Sequence, residues 1–143
     1  MILSIPWLIV SIILYNLIAF SSAWPAPGTA GPNVFNESLV SFDLISGANW
    51  ALTVGDLVTI ITLVLLFIEL IKATRTGGSS IVDHAFSMVL FMICGIEFLT
   101  VQQAATSEFF FILIVTLIDV VAGFSITIRG ARRDFGFGGA GGE

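Results

Sequence analysis

The stretch VGDLVTIITLVLLFIELIKATR, Val54–Arg75, decides the fold. It is apolar for about twenty residues, the length a helix needs to cross a hydrocarbon core of about 30 Å. Lys72 and Arg75 close it on one side. Working outward, three further apolar stretches have similar length. The expected spans are therefore about 2–20, 54–73, 81–103 and 107–128.

The chain has five basic residues, Lys72, Arg75, Arg129, Arg132 and Arg133. Each falls just after the second span or just after the fourth. The connections after the first and third carry none. Cytoplasmic loops collect Lys and Arg, so this pattern puts both termini on the cytoplasmic side. The expected fold class is all-α: a polytopic membrane protein, a four-transmembrane-helix bundle with a long outer loop, residues 21–53, between helices 1 and 2. Residues 1–128 form the transmembrane domain, and 129–143 a basic, then Gly-rich, cytoplasmic tail.

Composition agrees. Of 143 residues, 57% are hydrophobic and 10% charged, against about 25% charged in soluble domains. The mean hydropathy is +1.06. Nothing is basic or extended enough to bind nucleic acid. Cys94 is the single cysteine, so neither an intramolecular disulfide nor a CxxC metal site can form. It reads as a small packing residue. The first span lacks a basic flank and exceeds the roughly 7–15 residues of a signal-peptide core, so a retained helix is expected. With no transit peptide and no paired outer cysteines, a bacterial inner membrane is the favoured location.

The outer loop opens on Trp24-Pro25-Ala26-Pro27, turn-rich chain. It then becomes too apolar for a free loop. Phe42–Ile45 and Trp50–Val54, around Ser46–Asn49, suggest a short hairpin. Phe42, Leu44, Ile45 and Trp50 are the expected interaction surface. Trp24 and Trp50 suit an outer aromatic belt and Trp7 an inner one. Asn36-Glu37-Ser38 matches a glycosylation sequon, which matters only in a eukaryotic secretory membrane.

Three acids have a local explanation. Thr53 with Asp56, and Ser80 with Asp83, read as capping boxes; Glu108 lies in the first turn after Thr106. His84, next to Asp83 at the cytoplasmic interface, is of the residue type that titrates near neutral pH; a lone interfacial histidine with no second ligand at metal spacing is more often structural. Three other acids lie deeper. Glu97, Asp119 and Glu69 step across the bilayer, roughly 7 Å outside, about 0–2 Å from, and roughly 8 Å inside its midplane. An ionisable group at such depth costs at least about 2.5–3.5 kcal/mol. Glu69 has Lys72 one turn on, and Glu97 has Thr100 or a neighbouring helix to bond. Asp119 has no cationic residue expected at its depth. It must be protonated, bind a cation, or meet a basic group on another subunit.

Polar residues line one face of each span at helical spacing. They are Ser4, Ser11, Tyr15 and Ser22; Gly55, Thr59, Thr62 and Glu69; Asp83, Ser87, Cys94 and Glu97; and Thr116, Asp119, Gly123 and Thr127. Such stripes pack membrane helices.

An enzyme is not expected. No nucleophile has a base, and no phosphate loop or cofactor motif is present. No metal or cofactor is expected. The expected function is a small non-enzymatic accessory subunit of a membrane complex, or a self-associating oligomer. The alternative is a proton or cation pathway using Asp119, Glu97 and Glu69. The expected partners are the bilayer, whose anionic headgroups Lys72, Arg75, Arg129, Arg132 and Arg133 would meet, and other membrane subunits or further copies. No regular arginine array suggests a voltage sensor.

Overall fold

The computed structural model describes residues 5–21, 33–74 and 80–136, with residues 80–81 and 129–136 described as backbone only. The elements run α1 (Ile9–Ser21), β1 (Ser38–Asp43), β2 (Asn49–Thr53), α2 (Val54–Ala73), α3 (Ser80–Thr100) and α4 (Ser107–Gly136). Short 3₁₀ turns lie at Val34–Asn36 and Gln102–Ala104. Expectations for Ser4, Ser22, Trp24 and Arg75, and for the side chains of Ser80 and the three C-terminal arginines, fall outside what is described.

Among the described residues, three helices are long and apolar enough to cross a membrane: α2, residues Val82–Thr100 of α3, and residues Ser107–Ile128 of α4. The described part of the first does not reach that length. α1 has 13 residues, about 20 Å at 1.5 Å per residue. Proline explains the late start. Pro6 disfavours helical geometry at Ile5, and the next bonds have 3₁₀ spacing, from Ile9, Val10 and Ser11 N–H to Pro6, Trp7 and Leu8 C=O.

Two other boundaries differ from expectation. α3 stops at Thr100, where Val101 turns extended at φ −105° and ψ 118°. α4 does not stop at residue 128 but continues through Arg129, Arg132 and Arg133 to Gly136. Ala131, Arg132 and Arg133 are good helix formers, and cations suit a helix C-terminus.

α4 is the central helix. It packs along both α2 and α3, which scarcely touch each other, and α1 rests on α2 and α4. α3 runs antiparallel to α4: Cys94 meets Thr116, and His84 meets Thr127. α2 runs parallel to α4, with Gly55 under Glu108. The bundle thus has a hairpin end, where α2 and α4 begin, and a link end, where α2 ends and α3 begins.

Aromatic packing closes the hairpin end. Tyr15 stacks on Phe35 at 4.6 Å and meets Phe109 edge-on at 4.8 Å. All three rings are fully buried. The Tyr15 hydroxyl donates to the Gln103 carbonyl and bonds Thr106 Oγ1, both at 2.7 Å. Phe35 reaches this position because the Asn33 side chain caps the 3₁₀ turn, accepting from the Phe35 N–H at 3.0 Å.

The two strands form the expected hairpin. Val40 pairs with Leu52, Ser41 with Ala51, Phe42 with Trp50 and Asp43 with Asn49. Asn49 belongs to the strand and not to the turn, because its amide donates to Asp43 Oδ1 at 2.8 Å. Gly47 takes φ +81°, which costs glycine little. Alternation puts Val40, Phe42, Trp50 and Leu52 on one face, and Ser41, Asp43, Asn49 and Ala51 on the other. Thr53 ends β2 and also caps α2, closing a full capping box with Asp56. The hairpin is therefore joined to α2 without a linker.

Phe35→Ala is expected to lower stability by about 3–5 kcal/mol, and Tyr15→Phe by about 1–2 kcal/mol. Unfolding of the detergent-solubilised protein measures both. Equal stability of Phe35→Ala and the parent would remove the aromatic cluster as a determinant of the fold.

Candidate functional site

The three deep carboxylates have different surroundings. Glu69 is 4% exposed. Its Oε1 lies 2.6 Å from Lys72 Nζ, and its Oε2 accepts the Trp7 N–H at 3.0 Å. Lys72 Nζ also donates to the Ile5 carbonyl at 3.3 Å. The pair therefore holds the start of α1, where the first amides of a helix lack partners within it. A carboxylate there also faces the positive end of the helix dipole. Glu69 and Lys72 balance each other's charge.

Asp119 is equally buried, 4% exposed. Ser87, on α3, is one of its electrostatic neighbours. Among the described residues it forms no ion pair. Glu69, Lys72 and His84 are close enough to act on it electrostatically. Lys72 is turned to Glu69 and His84 to Thr127, and neither forms an ion pair with Asp119.

His84 is 5% exposed, and its Nε2 lies 2.6 Å from Thr127 Oγ1. Its ring fits against Gly123, where an added Cβ would stand 2.5 Å from Nδ1. Phe124 flanks it at 5.3 Å between ring centroids. The signal for this arrangement was present but divided. His84 and Ser87 are one turn apart on α3, and Asp119, Gly123 and Thr127 follow the same spacing on α4.

Glu97 lies apart, half-buried toward the hairpin end. Tyr15 and Cys94 are its electrostatic neighbours. Thr100 does not bond it; that hydroxyl donates to the Ile96 carbonyl at 2.7 Å. Between Glu97 and the link end, other hydroxyls turn inward on their own helices. Thr62 Oγ1 donates to Val58 C=O, and Thr116 Oγ1 to Leu113 C=O. The three carboxylates do not form one hydrogen-bonded file.

The remaining acids serve the helix starts or stand alone. Asp56 closes its capping box. Thr106 Oγ1 caps α4, accepting from the Phe109 N–H at 3.2 Å, while Glu108 covers Gly55. Asp83 Oδ1 is buried without a partner. Among the described residues, no three of His, Cys, Asp and Glu converge to hold a metal ion.

On the hairpin, Phe42 and Trp50 stack at 5.9 Å. They remain 50% and 49% exposed, and Ile45 at the tip is fully exposed. Leu44 is exposed beside it.

No protein-family model matches the sequence, and no curated protein or solved structure matches it. The residues themselves carry the functional reading.

Gly123→Ala is expected to cost about 1–3 kcal/mol by driving a methyl into the His84 ring. In a His84→Ala background most of that cost should vanish. A double-mutant cycle of unfolding free energies measures this, and additive effects would refute the contact.

Proposed function

We propose that this protein is a small non-enzymatic integral membrane subunit that works by association, with other membrane subunits or with further copies of itself. In this reading α1 and the chain before it complete a four-span bundle. Both termini face the cytoplasm of a bacterial inner membrane, and Lys72, Arg75 and the C-terminal arginines meet its headgroups. The asymmetric placement of the basic residues supports that orientation.

The observation that carries the proposal is the uncovered apolar face of the hairpin. Phe42 and Trp50 are half exposed and Ile45 fully so. A two-stranded hairpin is marginal in water and gains stability from further strands or a packed face. Asn16 adds support. Its amide oxygen is shielded from solvent without a partner, in an open groove with Ile13, Leu17 and Phe20. An amide on a membrane helix is a ready contact for another helix.

Native mass spectrometry of the protein extracted from its own membrane in mild detergent tests this. Other chains at fixed ratio, or a closed oligomer, are expected. Ser replacements at Phe42, Ile45 and Trp50 should release the partner with the melting temperature nearly unchanged. A lone monomer from native membranes would refute the proposal.

A second reading, proton or cation translocation, is favoured by the burial of Asp119 with no ion pair among the described residues. Reconstituted vesicles should then show flux that Asp119→Asn abolishes. Silent vesicles containing well-folded protein would oppose it.

A further inference from the structure

We infer that the apolar face of the hairpin docks a basic, partly apolar segment of a different chain, and not a second copy of this one. The inference rests on the association reading and deepens it by naming the chemistry of the partner.

The first argument is the distribution of charge. No Lys, Arg or His precedes Lys72 in the chain. Both strands and nearly all of α2 therefore come before the first cationic side chain. Lys72 and His84 stand at the link end, turned to Glu69 and Thr127. α4 begins beside the start of α2, so Arg129, Arg132 and Arg133 follow at its far end. The acids are divided differently. Glu37 joins the root of the hairpin, where its carbonyl accepts the Val54 N–H at 3.0 Å. Asp43 ends β1, Asp56 lies in the first turn of α2, and Glu108 covers Gly55. Glu37, Asp43 and Asp56 are exposed. Among the described residues, no cationic side chain faces them.

The second argument is the build of the face. Phe42 and Trp50 lie opposite each other in the register and stack with their rings 19° apart. Val40 pairs with Leu52 beside them. Asp43 follows Phe42 toward the tip, while Glu37 and Asp56 stand at the root. An apolar centre thus lies between acids at both ends. Protein interfaces share this anatomy, an aromatic centre inside a polar rim. Thr53 joins β2 to α2 without a linker, so the face is held at a fixed height on the bundle.

Together these observations select the occupant. A two-fold contact sets the same patch of both subunits against itself. Two copies would bring Glu37, Asp43 and Asp56 up to the same acids, and like charges across an interface disfavour binding. The cations of a second copy lie at the other end of α2, whose 20 residues span about 30 Å. Copies inserted in one orientation keep those two ends apart. A segment that carries Lys or Arg among apolar side chains satisfies both parts of the face. Its apolar groups cover Phe42 and Trp50, and its cations meet the acids at the rim.

The full-length protein is extracted from its own membrane in mild detergent and weighed by native mass spectrometry. A different chain at fixed ratio is expected with the parent. Concentrated salt should release it, and the double variant Glu37→Lys with Asp43→Lys should lack it. Two synthetic peptides of equal length probe the same face on the protein in phosphatidylcholine nanodiscs, with empty nanodiscs as blank. One alternates lysine with valine, the other glutamate with valine. The lysine peptide should bind and the glutamate peptide should not. Phe42→Ser with Trp50→Ser should weaken that binding by about tenfold or more. If the lysine variant fails to fold, Glu37→Gln with Asp43→Asn keeps an acceptor for Asn49 and should weaken the lysine peptide likewise. A foreign chain indifferent to these charge changes, or equal binding of the two peptides, would overturn the inference alone. So would a homo-oligomer that Phe42→Ser with Trp50→Ser dissociates. Tryptophan quenching by brominated lipid that Trp50→Phe diminishes would assign the face to the bilayer and overturn it too. A lone monomer would remove the association reading and this inference with it.

Discussion

Hydrocarbon offers no hydrogen bonds, so each polar group on the long helices must find a partner inside the protein. α4 meets this constraint by turning Thr116, Asp119 and Gly123 toward α3 and α2. Most hydroxyls settle locally. Thr59, Thr62, Thr100, Thr116 and Ser125 each donate to a carbonyl one turn back on the same helix. Carboxylates cannot do this, because they only accept. Glu69 therefore reaches a different helix and takes up an unbonded amide at the start of α1. One buried charge thus helps anchor the start of this 13-residue helix.

The same constraint is met differently at the two ends. At the hairpin end the polar load is light, and aromatic area closes the gap. The Tyr15 hydroxyl finds a backbone carbonyl and a threonine while its ring is covered on two sides. At the link end the load is heavy, with three carboxylates, one ammonium and one imidazole. Small residues make this possible. Gly123 gives the His84 ring room that any side chain would take. At the opposite end Gly55 lets Glu108 and the Phe35 carbonyl approach α2 in the same way.

Periodicity made the inward faces of α2, α3 and α4 readable, because lipid enforces it on every turn. Thr62, Glu69, Ser87, Cys94, Thr116 and Asp119 are all buried, as that spacing implied. Local chemistry also disclosed the Thr53–Asp56 capping box and the hairpin. What stayed hidden depends on residues distant in sequence. The late start of α1 is fixed by Pro6 and by a bond between Trp7 and Glu69, 62 residues away. Phe35 sits in turn-rich chain with no period to reveal its burial. His84 looked solitary because its neighbours, Gly123 and Thr127, lie on another helix. The extension of α4 past Ile128 escaped because hydropathy falls at Arg129 while helix propensity does not.

The two proposed readings, association and translocation, would place their residues at opposite ends of one element. α2 starts at the root of the hairpin, where Thr53 serves both strand and helix, and ends at Lys72, beside Asp119. Its 20 residues span about 30 Å. A rigid rod alone does not couple two sites; coupling needs an element with two arrangements. α1 is the candidate for that element. It is the shortest of the four helices. Glu69 and Lys72 hold its start, and Tyr15 locks its far half to the link between α3 and α4. Under the proposed association, a partner held on Phe42 and Trp50 would bear on the second anchor through Phe35, which stacks on Tyr15.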